Sequence, residues 1–301
     1  MKNICILGDL MIDKYIQHDC KRISPEAPVP VLTNPKLKRC LGGAANVVKN
    51  LSEYNNFKLT VKGRVGNDIE ADWLFEELNK IGITIHLERS ELIKTIQKKR
   101  IIAGQQQLCR VDIESKASFS SIKFDNYDFD AVVISDYGKK TFGCPSNIIL
   151  KCREFGIPTF VDPKGNDFSI YKGSYCLKPN KIEFENIVGK CDSLDSLIKK
   201  GSEFLNKYEI ENLVITLGAE GIIYINKKKQ YFFKKGKQIP VFNVTGAGDT
   251  VLASIVAGRL LGHNWEKCLD YSKYCAEYVI SLSETGFLTA DLIKDVMTKI
   301  F

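Results

Sequence analysis

Apolar residues in this chain come in short unbroken runs that alternate with stretches of helical spacing. Residues 3–8 (NICILG) are apolar and stopped by glycine, which predicts a strand buried on both faces. The spacing over 44–54 predicts a helix, 59–66 a strand, and 69–82 a helix closed by glycine. Residues 131–138 (AVVISDYG) predict an apolar strand followed by acids, 146–156 a helix and 157–165 another strand. Two further strands are predicted at 175–180 and 213–221 with a helical region between them, and helices at 246–261 and 265–282 close the chain. This alternation predicts an α/β fold with a largely parallel sheet and helices on both faces. Ligands of such sheets bind beyond the carboxyl ends of the strands. Those ends carry Asp9, Asp13, Asp136, Asp162, Asn180 and Thr216, although ordinary polar loop starts look the same.

Two segments break the alternation. Residues 14–41 are proline-rich and extended, and residues 84–113 alternate in the manner of antiparallel strands. Together they predict a small β flap over one edge of the main sheet. The sequence has no internal repeat, low-complexity tract or interdomain linker, so the expectation is a single domain over 1–301.

Composition narrows the function classes. The chain has 301 residues, 44% hydrophobic and 26% charged, enough for a sizeable core and unlike a disordered chain. Its net charge of +7 mildly favours anionic partners without calling for nucleic acid. The densest basic stretch, 226–237 (NKKKQYFFKKGK), reads as a solvated hairpin. The ten cysteines include no CxxC and no zinc pattern, and they read as reduced core residues of a cytoplasmic protein. His18, His86 and His263 fall in no triad or metal spacing. The N-terminal apolar run is too short for a signal peptide, and no 18-residue apolar run predicts a membrane span.

Chemistry concentrates in two glycine-rich turns. Gly246, Ala247, Gly248 and Asp249 open the helix at 246–261, where free amides and the helix dipole favour an anion. A plain helix cap with an acid in its first turn would have the same sequence. The turn fits neither GxxxxGK[ST] nor GxGxxG after the first strand. The second turn, 41–50 (LGGAANVVKN), places Gly42 and Gly43 before Asn46, whose amide both donates and accepts. Close helix packing is an equal reading of that stretch.

With both turns present, the chain resembles the ribokinase-like, or PfkB-type, carbohydrate kinase family: GGAAN is similar to its N-terminal signature and NVTGAGDT to its C-terminal one. The resemblance covers essentially the whole chain. It implies a three-layer α/β/α sandwich with a mostly parallel central sheet and a small β-sheet lid from 14–41 and 84–113, often used for homodimerisation. Within the family, the ordered series GDLMID, RISPEAPVPV, LGGAANV, QQQLCRVD, SDYGKKT, DPKGNDFSIYKG, KPNKIEFENIVGK and NVTGAGDTV resembles the D-glycero-β-D-manno-heptose 7-phosphate kinases. That implies ATP-dependent phosphorylation of the anomeric hydroxyl to the 1,7-bisphosphate, feeding ADP-heptose and lipopolysaccharide core biosynthesis. No counterpart of an adenylyltransferase domain is expected before Phe301.

The resemblance assigns residues as follows. Asp249 is the catalytic base, kept ionised by the helix N-terminus, and the amides of Gly246, Ala247 and Gly248 stabilise the moving phosphoryl group. Asp13, Gly42, Gly43 and Asn46 face the sugar and Asp136 the sugar or the phosphoryl path, while Lys98, Arg100 and Arg110 on the lid hold the sugar's own phosphate. Asp9 reads as structural. Asn180 and Glu183 match an NxxE motif that organises Mg²⁺ indirectly through its waters. Thr216, Gly218 and Gly221 match the triphosphate loop, with Lys164 as a point charge for phosphate. Three positions depart from the pattern. Asn243 replaces an Asp that helps bind a monovalent cation in relatives, so a potassium requirement stays open. Cys275 stands where an Asn is common beside the nucleotide, and Gly104 where a basic residue is frequent. A PfkB-type kinase of another sugar, sugar phosphate or nucleoside, and a non-catalytic ligand-binding regulator on this fold, remain as alternatives.

Overall fold

The first strand, β1 (Lys2–Gly8), is inaccessible on both faces: Ile4 and Ile6 pack to one side, Cys5 and Leu7 to the other. A strand of this kind must lie in the middle of a sheet with helices above and below. In the computed structural model, which describes residues 1–300 apart from 116, 118, 238, 240–242, 283 and 284, it does. Residues 283 and 284, in the stretch 274–286 (YCAEYVISLSETG) that carries Cys275, thus lie outside the described residues.

The main sheet also contains β4 (Phe57–Gly66), β5 (Thr84–Ser90), β8 (Ala131–Ser135), β9 (Thr159–Asp162), β10 (Cys176–Leu177), β11 (Asn212–Thr216), β12 (Gly221–Asn226) and β13 (Tyr231–Lys235). Their order is β13-β12-β11-β10-β9-β8-β1-β4-β5, parallel except for the β11-β12-β13 edge. A separate four-stranded sheet is formed by β2 (Leu10–Ile23), β3 (Pro30–Gly43), β6 (Ile96–Ala103) and β7 (Gln106–Ile113), in the order β3-β2-β6-β7. One core joins the main sheet to helices α1 (Ala44–Ser52), α2 (Ile69–Ile81), α6 (Ala247–Leu260), α7 (Trp265–Ile280) and α8 (Ala290–Ile300). A second core lies on the opposite face, under α3 (Ser146–Glu154), α4 (Lys181–Val188) and α5 (Leu194–Lys207). The layers are α/β/α.

Local sequence sets the boundaries. Asp68 caps α2 by accepting from the Ala71 amide (3.0 Å), and Ser193 and Asn264 cap α5 and α7 in the same way. The basic stretch 226–237 forms the turn and second strand of the β12–β13 hairpin.

Four expectations need correction. Residues 84–90 belong to the main sheet, parallel to β4, and not to the small one; their alternation marks a half-exposed edge strand. The strand expected at 175–180 is only two residues long, because Pro179 offers no N–H to continue the ladder. Helix α8 was not expected. Six cysteines are buried, but Cys20, Cys109 and Cys144 are exposed, Cys109 because β7 is an outer strand open to solvent on both faces.

Candidate functional site

The carboxyl ends of β1, β8, β9, β10 and β11 deliver Asp9, Asp136 and Tyr137, Asp162, Lys178 and Thr216 to one edge of the main sheet. Helix α6 points its N-terminus at that edge. Gly246 caps it at φ 87°, a left-handed conformation; a Cβ there would lie 2.8 Å from both the Asn46 amide nitrogen and the Gly286 carbonyl oxygen. The Ala247 amide turns back to the Val244 carbonyl (3.3 Å), so the helix-start amides left ahead of the ladder begin at Gly248.

Asp249 lies in the first turn of α6 and is 3% exposed. Its Oδ2 accepts from Asn46 Nδ2 (2.9 Å) and its Oδ1 from the Tyr137 hydroxyl (2.6 Å). Asn46 is aimed there because α1 is locked to α6: Asn50 Oδ1 accepts from Thr250 Oγ1 (3.2 Å) and from the Leu288 amide (3.0 Å). Burial pushes the Asp249 carboxyl up to about 7, against the lowering effect of its two donors. Burial thus opposes the ionising influence expected of the helix N-terminus. Gly43 starts α1 at φ 57°, and a Cβ there would lie 2.4 Å from the Asp9 carbonyl.

On the small sheet, pairing register puts Asp13, Lys98, Arg100 and Arg110 on one face: Asp13 opposes Lys98, Tyr15 opposes Arg100, and Arg100 opposes Arg110. Asp13 and Arg100 are both buried and form an ion pair of 2.6 Å. Thr285 donates to the second Asp13 oxygen (3.1 Å) and shares a 2.8 Å hydrogen bond with Tyr15, which accepts from Asn243 (3.1 Å). Gly42 is close by, since a Cβ on it would come within 2.6 Å of Asp13 Oδ2. Arg100 is thus the counter-ion of Asp13. Arg110 makes a bidentate pair with Asp112 (2.8 and 2.9 Å), half exposed. Lys98 lies 4.9 Å above the Tyr137 ring, and burial lowers its pKa. Gly104 sits in the exposed β6–β7 turn at φ 61°.

Asp9 accepts from the amides of Tyr137 (2.9 Å), Lys139 (3.0 Å) and Thr141 (3.1 Å) and from the Thr141 hydroxyl (2.6 Å). It shapes the loop that carries Tyr137 and is itself enclosed. Asp136 accepts from Tyr171 (2.7 Å) and from the Gly138 amide (2.6 Å); burial, with Asp9 nearby, raises it to about 6.

Beside Asp249 opens a cavity of about 610 Å³, within the size range of cofactor sites. It brings together Asp136, Lys164, Asn180, Glu183, Thr216, Gly218, Gly221, Ala247 and Gly248. Asp13, Asn46 and the three lid cations lie outside it. Ala276 and Ile280 of α7 with Ile222 and Val251 form its apolar wall. Cys275 is fully buried and faces the core instead; from this helix Lys273, Ala276, Glu277 and Ile280 line the cavity. Asn180 and Glu183 form a capping box on α4, with 2.9 Å bonds each way, and Glu183 Oε1 pairs with Lys164 (2.7 Å). Lys178 pairs with Asp162 (2.9 Å); both are largely buried, and burial raises the Asp162 pKa. Among the described residues no group of three His, Cys, Asp or Glu side chains can hold a metal. The donor set fits a magnesium ion that arrives with its phosphates and keeps its waters, with Glu183 beside it.

Tyr137, Lys178, Tyr15 and Thr285 were not singled out from the sequence. Lys178 had a signal, a lysine ending an apolar run at a strand's carboxyl end, and Tyr137 stands in the same place after β8. Thr285 and Tyr15 had none.

A model of the pfkB family carbohydrate kinases matches residues 1–291. The chain belongs to that family. As a family member it is an ATP-dependent carbohydrate kinase. It is 36% identical over 304 residues to the "Bifunctional protein HldE" of Marinomonas sp. (strain MWYL1), covering 98% of this chain and 64% of that protein. The HldE of Blochmanniella floridana is 33% identical over 306 residues, covering 99% and 63%. The chain thus spans less than two thirds of the length of these relatives. Arabidopsis thaliana ribokinase complexed with ribose and ATP superposes with a TM-score of 0.79 at 14% identity, over 98% of both chains. Phosphofructokinase-2 from Escherichia coli in complex with potassium gives 0.78 at 15% identity, over 100% of this chain and 99% of that one. These two establish the ribokinase-like fold. Among the described residues no helix is long and apolar enough to cross a membrane.

Proposed function

We propose that this chain phosphorylates the anomeric hydroxyl of D-glycero-β-D-manno-heptose 7-phosphate from ATP, giving the 1,7-bisphosphate. The observation that carries the chemistry is the position of Asp249: on one side Asn46 bonds it and the Gly286 carbonyl, next to Thr285, which bonds Asp13, and on the other side it bonds Tyr137, which lines the 610 Å³ cavity with Gly248. The choice of sugar rests on the ordered motifs that resemble heptose 7-phosphate kinases and on the likeness to proteins named HldE.

In this reading Asp13 grips vicinal sugar hydroxyls through charge-assisted hydrogen bonds, held in place by Arg100. Asp249 accepts the attacking hydroxyl's proton, and with its pKa near 7 it does so readily at neutral pH. Bound ATP supplies the phosphoryl group, and magnesium offsets its charge. The first-turn amides of α6 and Lys178 meet the charge that builds on the moving group, while Lys164, Asn180, Gly218 and Gly221 line the path of the remaining phosphates. Glu183 orients waters of the ion. The product would enter ADP-heptose and lipopolysaccharide core synthesis in the cytoplasm, with a homodimer formed through the small sheet.

One observation favours a second reading, a family kinase for an unphosphorylated sugar. Of the three lid cations, Arg100 is committed to Asp13 and Arg110 to Asp112, which leaves Lys98 as the cation with no carboxylate partner among the described residues. Turnover of a mixed pool of sugars and sugar phosphates with ATP and Mg²⁺, read by mass and NMR of the product, separates the two. A 1,7-bisphosphate is expected; exclusive use of an unphosphorylated sugar would replace the first reading with the second.

A further inference from the structure

Both oxygens of Asp249 are occupied before any ligand arrives, one by the amide of Asn46 and the other by the phenol of Tyr137. Asn46 is fixed on α1. Tyr137 is held differently: its amide is tied to Asp9, and its ring carries the Lys98 ammonium of the small sheet at 4.9 Å. Lys98 makes no close ion pair among the described residues; Asp13 and Asp112 act on its charge from farther off, and the Tyr137 ring lies directly beneath it. The contact therefore spans from the small sheet through Tyr137 to Asp249.

We propose that Tyr137 is a positioning residue for the phosphoryl transfer, and that with Lys98 it couples closure of the small sheet to the readiness of Asp249 as a base. The inference rests on the kinase reading for its purpose, but the coupling itself does not need it. A hydroxyl donated to a carboxylate favours the charged form and fixes which lone pair faces the incoming alcohol. A cation over the ring face draws on its quadrupole and strengthens the phenol as a donor. When the small sheet lifts, Lys98 leaves the ring, the donor weakens, and Asp249 takes up a proton in its dry setting. When the sheet settles over a sugar, the base is ionised and aimed.

Every charged group around this pair enters the expectation. Asp249 faces Asp162 from β9 and Lys178 after β10; Tyr137 faces those acids and Asp13 from β2; Lys98 faces Asp13, Arg100, Arg110 and Asp112 on the small sheet. Helix α1 contributes the neutral Asn46, and the 136–141 loop contributes Asp136, with Asp9 beneath it. None of these is altered by removing one phenolic oxygen, so a shift in Tyr137→Phe reports that hydrogen bond.

The test is a carbon-13 carboxyl titration of the full chain, with the Asp249 resonance assigned by its loss in Asp249→Asn. In Tyr137→Phe, Asp249 should bind its proton about tenfold more tightly, one unit higher in midpoint. Lys98→Met should shift it in the same direction by less, and should add nothing in the Tyr137→Phe background, as expected of coupled residues. In turnover, the acid limb of kcat in Tyr137→Phe should move up with the titration, so that its loss against the parent grows as pH falls. An unmoved Asp249 midpoint, or a kcat lowered by one factor at every pH, overturns the proposal. A parent protein that turns over no sugar would sink the kinase reading and leave the titration result standing.

Discussion

The two halves of the site are built on opposite plans. The half proposed for the nucleotide is a hollow: strand ends and the start of α6 surround a 610 Å³ cavity whose surface is largely apolar. The half proposed for the sugar is filled: Asp13, Arg100 and Tyr15 of the small sheet, with Thr285 and Asn243 beside them, satisfy one another in a largely buried network. A hollow admits its ligand without breaking anything. A filled network must exchange partners with sugar hydroxyls, and it rejects a molecule that cannot replace the bonds it displaces. Specificity should therefore reside in the sugar half and a more general affinity in the other, with Asp249 where the two meet.

Removing the carboxylate at that junction should have the largest effect. Asp249→Asn is expected to lower kcat by a factor on the order of 10² or more, with both Michaelis constants little changed. The same variant should stabilise the fold. Asp249 is raised from 3.8 to about 7 by burial, so its neutral form is preferred in the folded chain. Stability linked to that preference is full below the unfolded value and is lost as pH rises from about 4 to about 7. At pH 8 the variant should thus unfold at higher temperature than the parent, by on the order of a few kcal/mol, and near pH 3 the two should coincide. Calorimetry at the two pH values checks it; an equal or lower midpoint at pH 8 would show that the acid is not desolvated.

Next in size is Arg100→Ala, which breaks the filled half. It leaves Asp13 buried with Thr285 as its remaining donor, and stranding one member of a buried pair costs about 3–5 kcal/mol. The sugar's KM should rise by about 10–100-fold while the ATP KM holds, since the cavity shares no wall with Arg100. A double variant, Asp13→Asn with Arg100→Leu, should recover stability without recovering sugar affinity. Recovery of both would mean that the pair only props up the small sheet.

Much of this division was legible in the residues. The runs around β1, β8 and β9 gave the central strands because parallel strands buried on both faces leave no polar alternation to misread. The turns at 42–46 and 246–249 were found because a left-handed or closely approached backbone requires glycine. Residues 84–90 misled because an edge strand and an antiparallel flap share a period of two. The NxxE pair is both a capping box and a wall of the cavity, and sequence alone cannot separate those roles. Tyr137 and Thr285 escaped because their function comes from partners more than a hundred residues away, and no spacing rule spans that distance. The Asp249 pKa escaped for a related reason: its helix position is local, but its desolvation is set by how the layers close over it.

The smallest expected effect probes the hollow half alone. Ala276 on α7 lines the cavity with Ile280, Ile222 and Val251, and its short side chain leaves that wall open. Ala276→Leu adds three carbons into this space. If the wall receives the nucleotide's apolar part, the added bulk should raise the ATP KM about tenfold, a cost of roughly 1–2 kcal/mol for overfilling a packed surface. Helix α7 reaches the Asp13 network through the Ile280 carbonyl, which accepts from the Asn243 amide (3.3 Å), and not through Ala276, so the sugar KM and the kcat at saturation should stay within twofold of the parent. A rise in the sugar KM as large as that in the ATP KM would show that the halves are not separable and that α7 also governs how the small sheet meets the main one. A reversed preference between ATP and GTP, with unchanged affinity for the better of the two, would instead place the base against Ala276 and make that position the determinant of nucleotide choice.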